Sequence, residues 1–79
     1  MDARAATLAL IGARATGATV CPSEVARELA GPDWRAAMPA VHVAVDGLVA
    51  EGAVRLSWRG VGLTVRDGPY RIGRAEAAG

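Results

Sequence analysis

At 79 residues, 52% of them hydrophobic, the chain is one small domain with a thin core. A single cysteine excludes an internal disulfide framework and a cysteine-built zinc site, and no apolar run approaches the roughly 20 residues of a bilayer span. The net charge of +1 selects no class of partner, but it is unevenly spread: residues 1–51 carry four Arg against six acids, residues 52–79 five Arg against two. Every cation is an arginine, which fits GC-rich coding as well as bidentate phosphate recognition. Met1-Asp2-Ala3-Arg4 leads into no signal-peptide core, so a soluble, cytoplasmic protein with no membrane partner is expected.

A first helix is expected from about Asp2 to Ala15, with Ala5, Leu8, Ile11 and Ala15 as its apolar stripe. Asp2 would cap it and Gly17 would end it. Ala18-Thr19-Val20 reads as a short strand. Cys21-Pro22-Ser23-Glu24 then opens a second helix, with Cys21 as N-cap, Pro22 at the first position and Glu24 reaching back to the cap. Val25, Ala26 and Leu29 form its inner face, and Gly31-Pro32 stops it. Asp33 starts a third helix, Trp34 to about Ala50, whose stripe is Trp34, Met38, Val41, Val45 and Leu48. Pro39 predicts a kink, or a short first turn with the main helix starting at Pro39. Gly52 closes the helix.

The period then changes to two. Val54, Leu56 and Trp58 alternate with Arg55, Ser57 and Arg59 in a half-buried strand. Residues 60–69 hold Gly60, Gly62, Gly68 and Pro69 and read as a loop. Tyr70 and Ile72 alternate with Arg71 and Gly73 in a last strand, and residues 75–79 read as a frayed tail. There is no Phe, so Trp34, Trp58 and Tyr70 are each expected to carry a large share of the core.

This order predicts an α+β fold: a small winged helix-turn-helix of three helices, a short strand and a C-terminal β-hairpin wing, as a single domain over residues 1–79. Cys21-Pro22-Ser23-Glu24-Val25-Ala26-Arg27, Trp34-Arg35 with Met38-Pro39, and Gly68-Pro69-Tyr70-Arg71-Ile72 carry a further signal. With these segments the chain, from about Leu8 to Arg74, resembles an uncharacterised bacterial family, domain of unknown function 3253. The resemblance implies a winged-helix-like fold and no established activity. It also implies more basic residues on the third helix than this chain has, where His42, Val43, Ala44 and Asp46 stand.

Catalysis is not expected. Cys21 and His42 are the only thiol and imidazole, and a nucleophile pair would need them in hydrogen-bond reach with a third, orienting group. They read instead as a small cap residue and a boundary histidine. Gly60-Val61-Gly62 lacks the strand–turn–helix setting of a phosphate loop, and metal ligands are too few for a closed site, so no cofactor or metal is expected.

Two binding roles stay open. Bases are read by Arg, Lys, Asn or Gln, and the outer face of the third helix offers almost none. Arg35, His42 and Asp46 share one shoulder of that helix. Weak DNA binding through the backbone would use Arg35 with the wing arginines Arg55, Arg59, Arg66 and Arg71, joined by Arg74. Strand arginines also serve as a solvated face and as edge protection. The alternative is a protein partner or homodimer seated on Ala36, Ala40, Val43 and Gly47. That stripe is equally what an alanine-rich helix shows for reasons of propensity.

Overall fold

The computed structural model describes residues 1–75. It is an α+β fold in which helices cover one face of a four-stranded antiparallel sheet. The order is α1 (Ala3–Gly12), β1 (Thr19–Val20), α2 (Pro22–Ala30), a single 3₁₀ turn (Gly31–Asp33), α3 (Trp34–Ala50), β2 (Val54–Trp58), β3 (Val61–Leu63) and β4 (Arg71–Arg74). Across the sheet the strands run β1-β4-β2-β3. Among the described residues, no helix is long and apolar enough to cross a membrane.

α1 departs from its expected form. Asp2 does cap it, accepting from the Ala5 N–H at 2.7 Å, but it ends at Gly12 rather than near Ala15. There the Arg74 guanidinium of β4 donates to the Ile11 carbonyl at 3.3 Å, meeting a group that a helix end leaves open. Gly17 sits instead in the turn before β1. The buried residues are Ala3, Ala6, Thr7 and Ile11, so Ala5, Leu8 and Ala15 face outward, Leu8 with 40% exposure. Thr7 tolerates complete burial because its hydroxyl donates to the Ala3 carbonyl at 2.7 Å.

α2 forms as its sequence dictates. Pro22 takes the first turn, and the Glu24 carboxylate accepts the Cys21 N–H at 3.0 Å. α3 runs without interruption from Trp34 to Ala50, so the expected late start at Pro39 does not occur. Pro39 lies on the exposed side, where water can take the Arg35 carbonyl it leaves unbonded. Val41, Val45 and Leu48 are wholly buried, with Trp34 and Met38 partly buried against them. Each such buried Val or Leu contributes roughly 1.5–3 kcal/mol. The helix closes at Gly52, with positive φ: the Ala53 N–H bonds to Leu48 O at 2.9 Å and the Gly52 N–H to Val49 O at 3.0 Å, a Schellman ending.

β2 and β4 pair as expected, Leu56 opposite Ile72. The stretch read as a loop, residues 60–69, holds a strand. β3 folds back on β2 through Arg59-Gly60, with Trp58 opposite Val61 and Leu56 opposite Leu63. Both turn residues have positive φ, 51° and 81°, the requirement of the tight turn that suits strand twist. Arg59 therefore leaves the strand and occupies the turn. Trp58 also departs from expectation, being 37% exposed at the end of β2, whereas Tyr70 is buried at 4%. Ala75 is not frayed, since its N–H bonds to Ala53 O at 3.3 Å; the rest of the expected tail lies outside the described residues.

Candidate nucleic-acid interface

The arginines fall into two groups, which charge counting does not separate. Arg4 forms a double hydrogen bond with Glu51, one arm at 2.8 Å. Arg14 reaches Glu24 at 2.7 Å. Arg71 donates to the Thr19 hydroxyl at 2.7 Å and the Thr19 carbonyl at 3.1 Å, and lies 3.9 Å from Glu24. These contacts tie α1, α2, β1 and β4 together. The Cys21 N–H above all, then Arg14 and Arg71, hold the Glu24 carboxyl below its ordinary range.

Arg66 is also engaged. Its Nε and Nη2 donate to the two Asp46 carboxylate oxygens at 2.8 and 3.0 Å. One helical turn away, His42 Nδ1 and Tyr70 Oη share a hydrogen bond of 2.6 Å. Two links thus moor the segment between β3 and β4 to α3. Burial, and then the nearby Arg66 charge, push the His42 imidazole below its ordinary 6.5. Burial pushes the Tyr70 phenol up to about 12. His42 and Asp46 therefore share the expected shoulder but are committed to the segment between β3 and β4. Cys21 Sγ pairs with Ser23 Oγ at 3.1 Å, so the thiol and the imidazole each bond to another residue.

Arg35 has a different setting. Its guanidinium lies 4.4 Å from the centroid of Trp34, and Arg27, from the last turn of α2, lies 4.7 Å from the same ring. Arg59 lies 5.7 Å from the Trp58 ring. Among the described residues none of these three guanidiniums makes an ion pair. Arg55 is exposed on β2, between the buried Val54 and Leu56, and so faces away from the helices.

Of the five candidates for nucleic acid, the structure thus binds Arg66 and Arg71 to partners of their own. It sets Arg35 on a tryptophan beside Arg27, Arg59 on another, and Arg55 on the opposite side of the sheet. Arg27 was not among the expected contacts. Its one sequence signal is that it stands two helical turns before Trp34, across the Gly31-Pro32 break.

The other candidate face is in place. Ala36, Ala40, Val43 and Gly47 are exposed along α3, Val43 at 69%. Between this stripe and the start of α1 runs an open groove of about 520 Å³, lined by Ala3, Pro39, Ala40, Val43 and Ala44.

Residues 1–75 match the pattern of the family described as protein of unknown function (DUF3253). The chain belongs to that family. No curated protein matches it. The three segments that carry the resemblance also supply many of the contacts described above: the Cys21–Glu24 cap, the Trp34-Arg35 pair and the Tyr70-Arg71 anchors.

Proposed function

We propose that the chain is a winged-helix module that holds nucleic acid by its phosphate backbone. The order of elements supports it: α2 passes through one tight turn into α3, and a hairpin follows. The observation that carries the reading is the pair Arg27 and Arg35 on the two elements flanking that turn. Both guanidiniums rest on Trp34, and neither meets a carboxylate among the described residues. The ring quadrupole attracts each cation, worth roughly 0.5–1 kcal/mol at an exposed site, and so holds two guanidiniums at one junction, each able to pair with a phosphate.

Base reading is not part of the proposal. Ala36, Ala40, Val43 and Gly47 carry no side-chain donor, so binding would be indifferent to sequence. Asp46, which would repel phosphate, is neutralised by Arg66. Arg59 at the hairpin tip completes the contact set. The alternative, a protein partner on the outer face of α3, rests on Val43 as the one large side chain exposed there.

The test is the salt dependence of binding to a mixed-sequence duplex. Each phosphate contact contributes about 0.9 to the log–log slope. The double variant Arg27→Ala/Arg35→Ala is expected to bind more weakly and to lose about 2 from the slope. Arg66→Ala should leave the slope nearly unchanged. An unaltered slope in the double variant would remove these two residues from the interface.

A further inference from the structure

The hairpin tip contains two features that backbone binding does not require, an exposed ring and a strained turn residue. Trp58 shares its side of β2 with Val54 and Leu56, which are buried, but is itself 37% exposed. Its cross-strand partner, Val61, is 64% exposed. A large ring and a branched side chain thus form a small apolar platform past the cover of the helices. A ring so placed offers one flat face to a ligand while its other contacts fix it to the sheet.

The second feature is Arg59. Among the described residues it is the one non-glycine residue with positive φ. Left-handed backbone costs an ordinary residue roughly 1–2 kcal/mol, and Asn or Gly would fill the position more cheaply. The arginine kept there has its guanidinium 5.7 Å from the Trp58 ring and no ion pair among the described residues. Strain retained beside an exposed ring directs attention to a binding role.

We infer that the Trp58–Arg59 hairpin tip is a stacking site for an unpaired nucleobase, with Arg59 set for the adjoining phosphate; the site presupposes the backbone binding proposed above. Every base offers a π-face, so an indole platform beside a cation accepts single-stranded segments without reading their sequence. A paired base inside a duplex has both faces covered by its neighbours and cannot use the platform. Gly60, in the turn beside Val61, has open space where a side chain would stand. The preferred ligand is therefore a duplex end or junction carrying a single-stranded tail.

The experiment compares a blunt mixed-sequence duplex with the same duplex carrying a short single-stranded tail. It reads affinity at two salt concentrations and the two indole N–H signals by NMR. The tailed duplex is expected to bind at least about fivefold tighter, the lower end of what one stacked base supplies. The Trp58 indole signal should shift only with the tail. Trp58→Leu should abolish the advantage and leave blunt-duplex affinity and its salt slope in place, and Trp58→Tyr should restore most of it. Equal affinities with a still Trp58 signal would overturn the stacking site while leaving backbone binding intact. No binding to either duplex at low salt would overturn both. A Trp58 shift that follows protein concentration alone would reassign the platform to contact between copies of the chain, and the inference would fall.

Discussion

The two tryptophans show how one pairing serves two ends. Trp34 lies at the junction of two helices, packs partly buried against the core, and carries a guanidinium from each helix. Trp58 lies at the end of a strand, over a third exposed, with a single guanidinium from the adjoining turn. At Trp34 the ring is held and the cations are placed by it. At Trp58 the ring is available and its cation sits in a strained turn. Stability should therefore depend on the first, and ligand selection on the second.

The sharpest way to break this comparison is to remove each ring. Trp34→Ala should lower stability by about 2–3 kcal/mol, somewhat below the range for a fully buried aromatic. Trp58→Ala should cost less, about 1 kcal/mol, because over a third of the ring already meets water and no helix covers it. Urea denaturation of both variants reads the difference. Equal losses would mean that Trp58 is a core residue after all.

A smaller effect separates the root of the sheet's hairpin region from its tip. His42 titrates in the folded chain below 6.5, because burial above all, then Arg66, disfavour its charged form, against the opposing pull of Asp46. Tyr70, bonded to it, stays protonated, with its phenol near 12. As pH falls through the ordinary histidine range the unfolded chain binds the proton first, so stability is full above that range and declines until the folded imidazole titrates. The urea midpoint should drop between about pH 7.5 and about pH 5.5. His42→Gln, which cannot titrate, should flatten that interval. Glu24, whose folded carboxyl is held low by the Cys21 N–H and then by Arg14 and Arg71, gives a loss of the same sign in a lower window. A midpoint that stayed level to pH 5.5 in the wild type would contradict the burial of His42.

Much of the fold could be read from the residues, and the places where reading failed have physical causes. α3 announced itself because Val41, Val45 and Leu48 stand out from the small residues beside them. α1 misled because alanine occupies every face, so the buried set Ala3, Ala6 and Thr7 gives no hydrophobic contrast with the exposed Ala5 and Ala9. β3 was hidden because Gly62 weakens a strand signal and Arg59-Gly60 lacks the Asn or Asp that marks a tight hairpin turn. The site was harder. Arg71 meets Thr19 across 52 residues of chain and Arg66 meets Asp46 across 20, and no local pattern distinguishes an arginine so engaged from one that is not. Arg35 could be picked out by its place at the start of α3, but the ring that joins it to Arg27 depends on how α2 and α3 meet.

The least expected effect on stability carries the most pointed separation of stability from function. Arg59 holds φ of 51°, a conformation that asparagine adopts with little strain. Arg59→Asn should therefore raise stability, by about 0.5–1 kcal/mol, by fitting the turn better. The same change removes the cation beside Trp58, so it should lower affinity for a tailed duplex and reduce the salt slope by about 1. A gain in stability coupled to a loss in binding is what a strained residue kept for its ligand predicts. A variant more stable and equally tight would show the arginine to be incidental, and would leave Trp58 exposed without a partner in binding. A variant less stable than the wild type would show that the contact with the indole ring outweighs the backbone strain, and would make the turn arginine a structural residue.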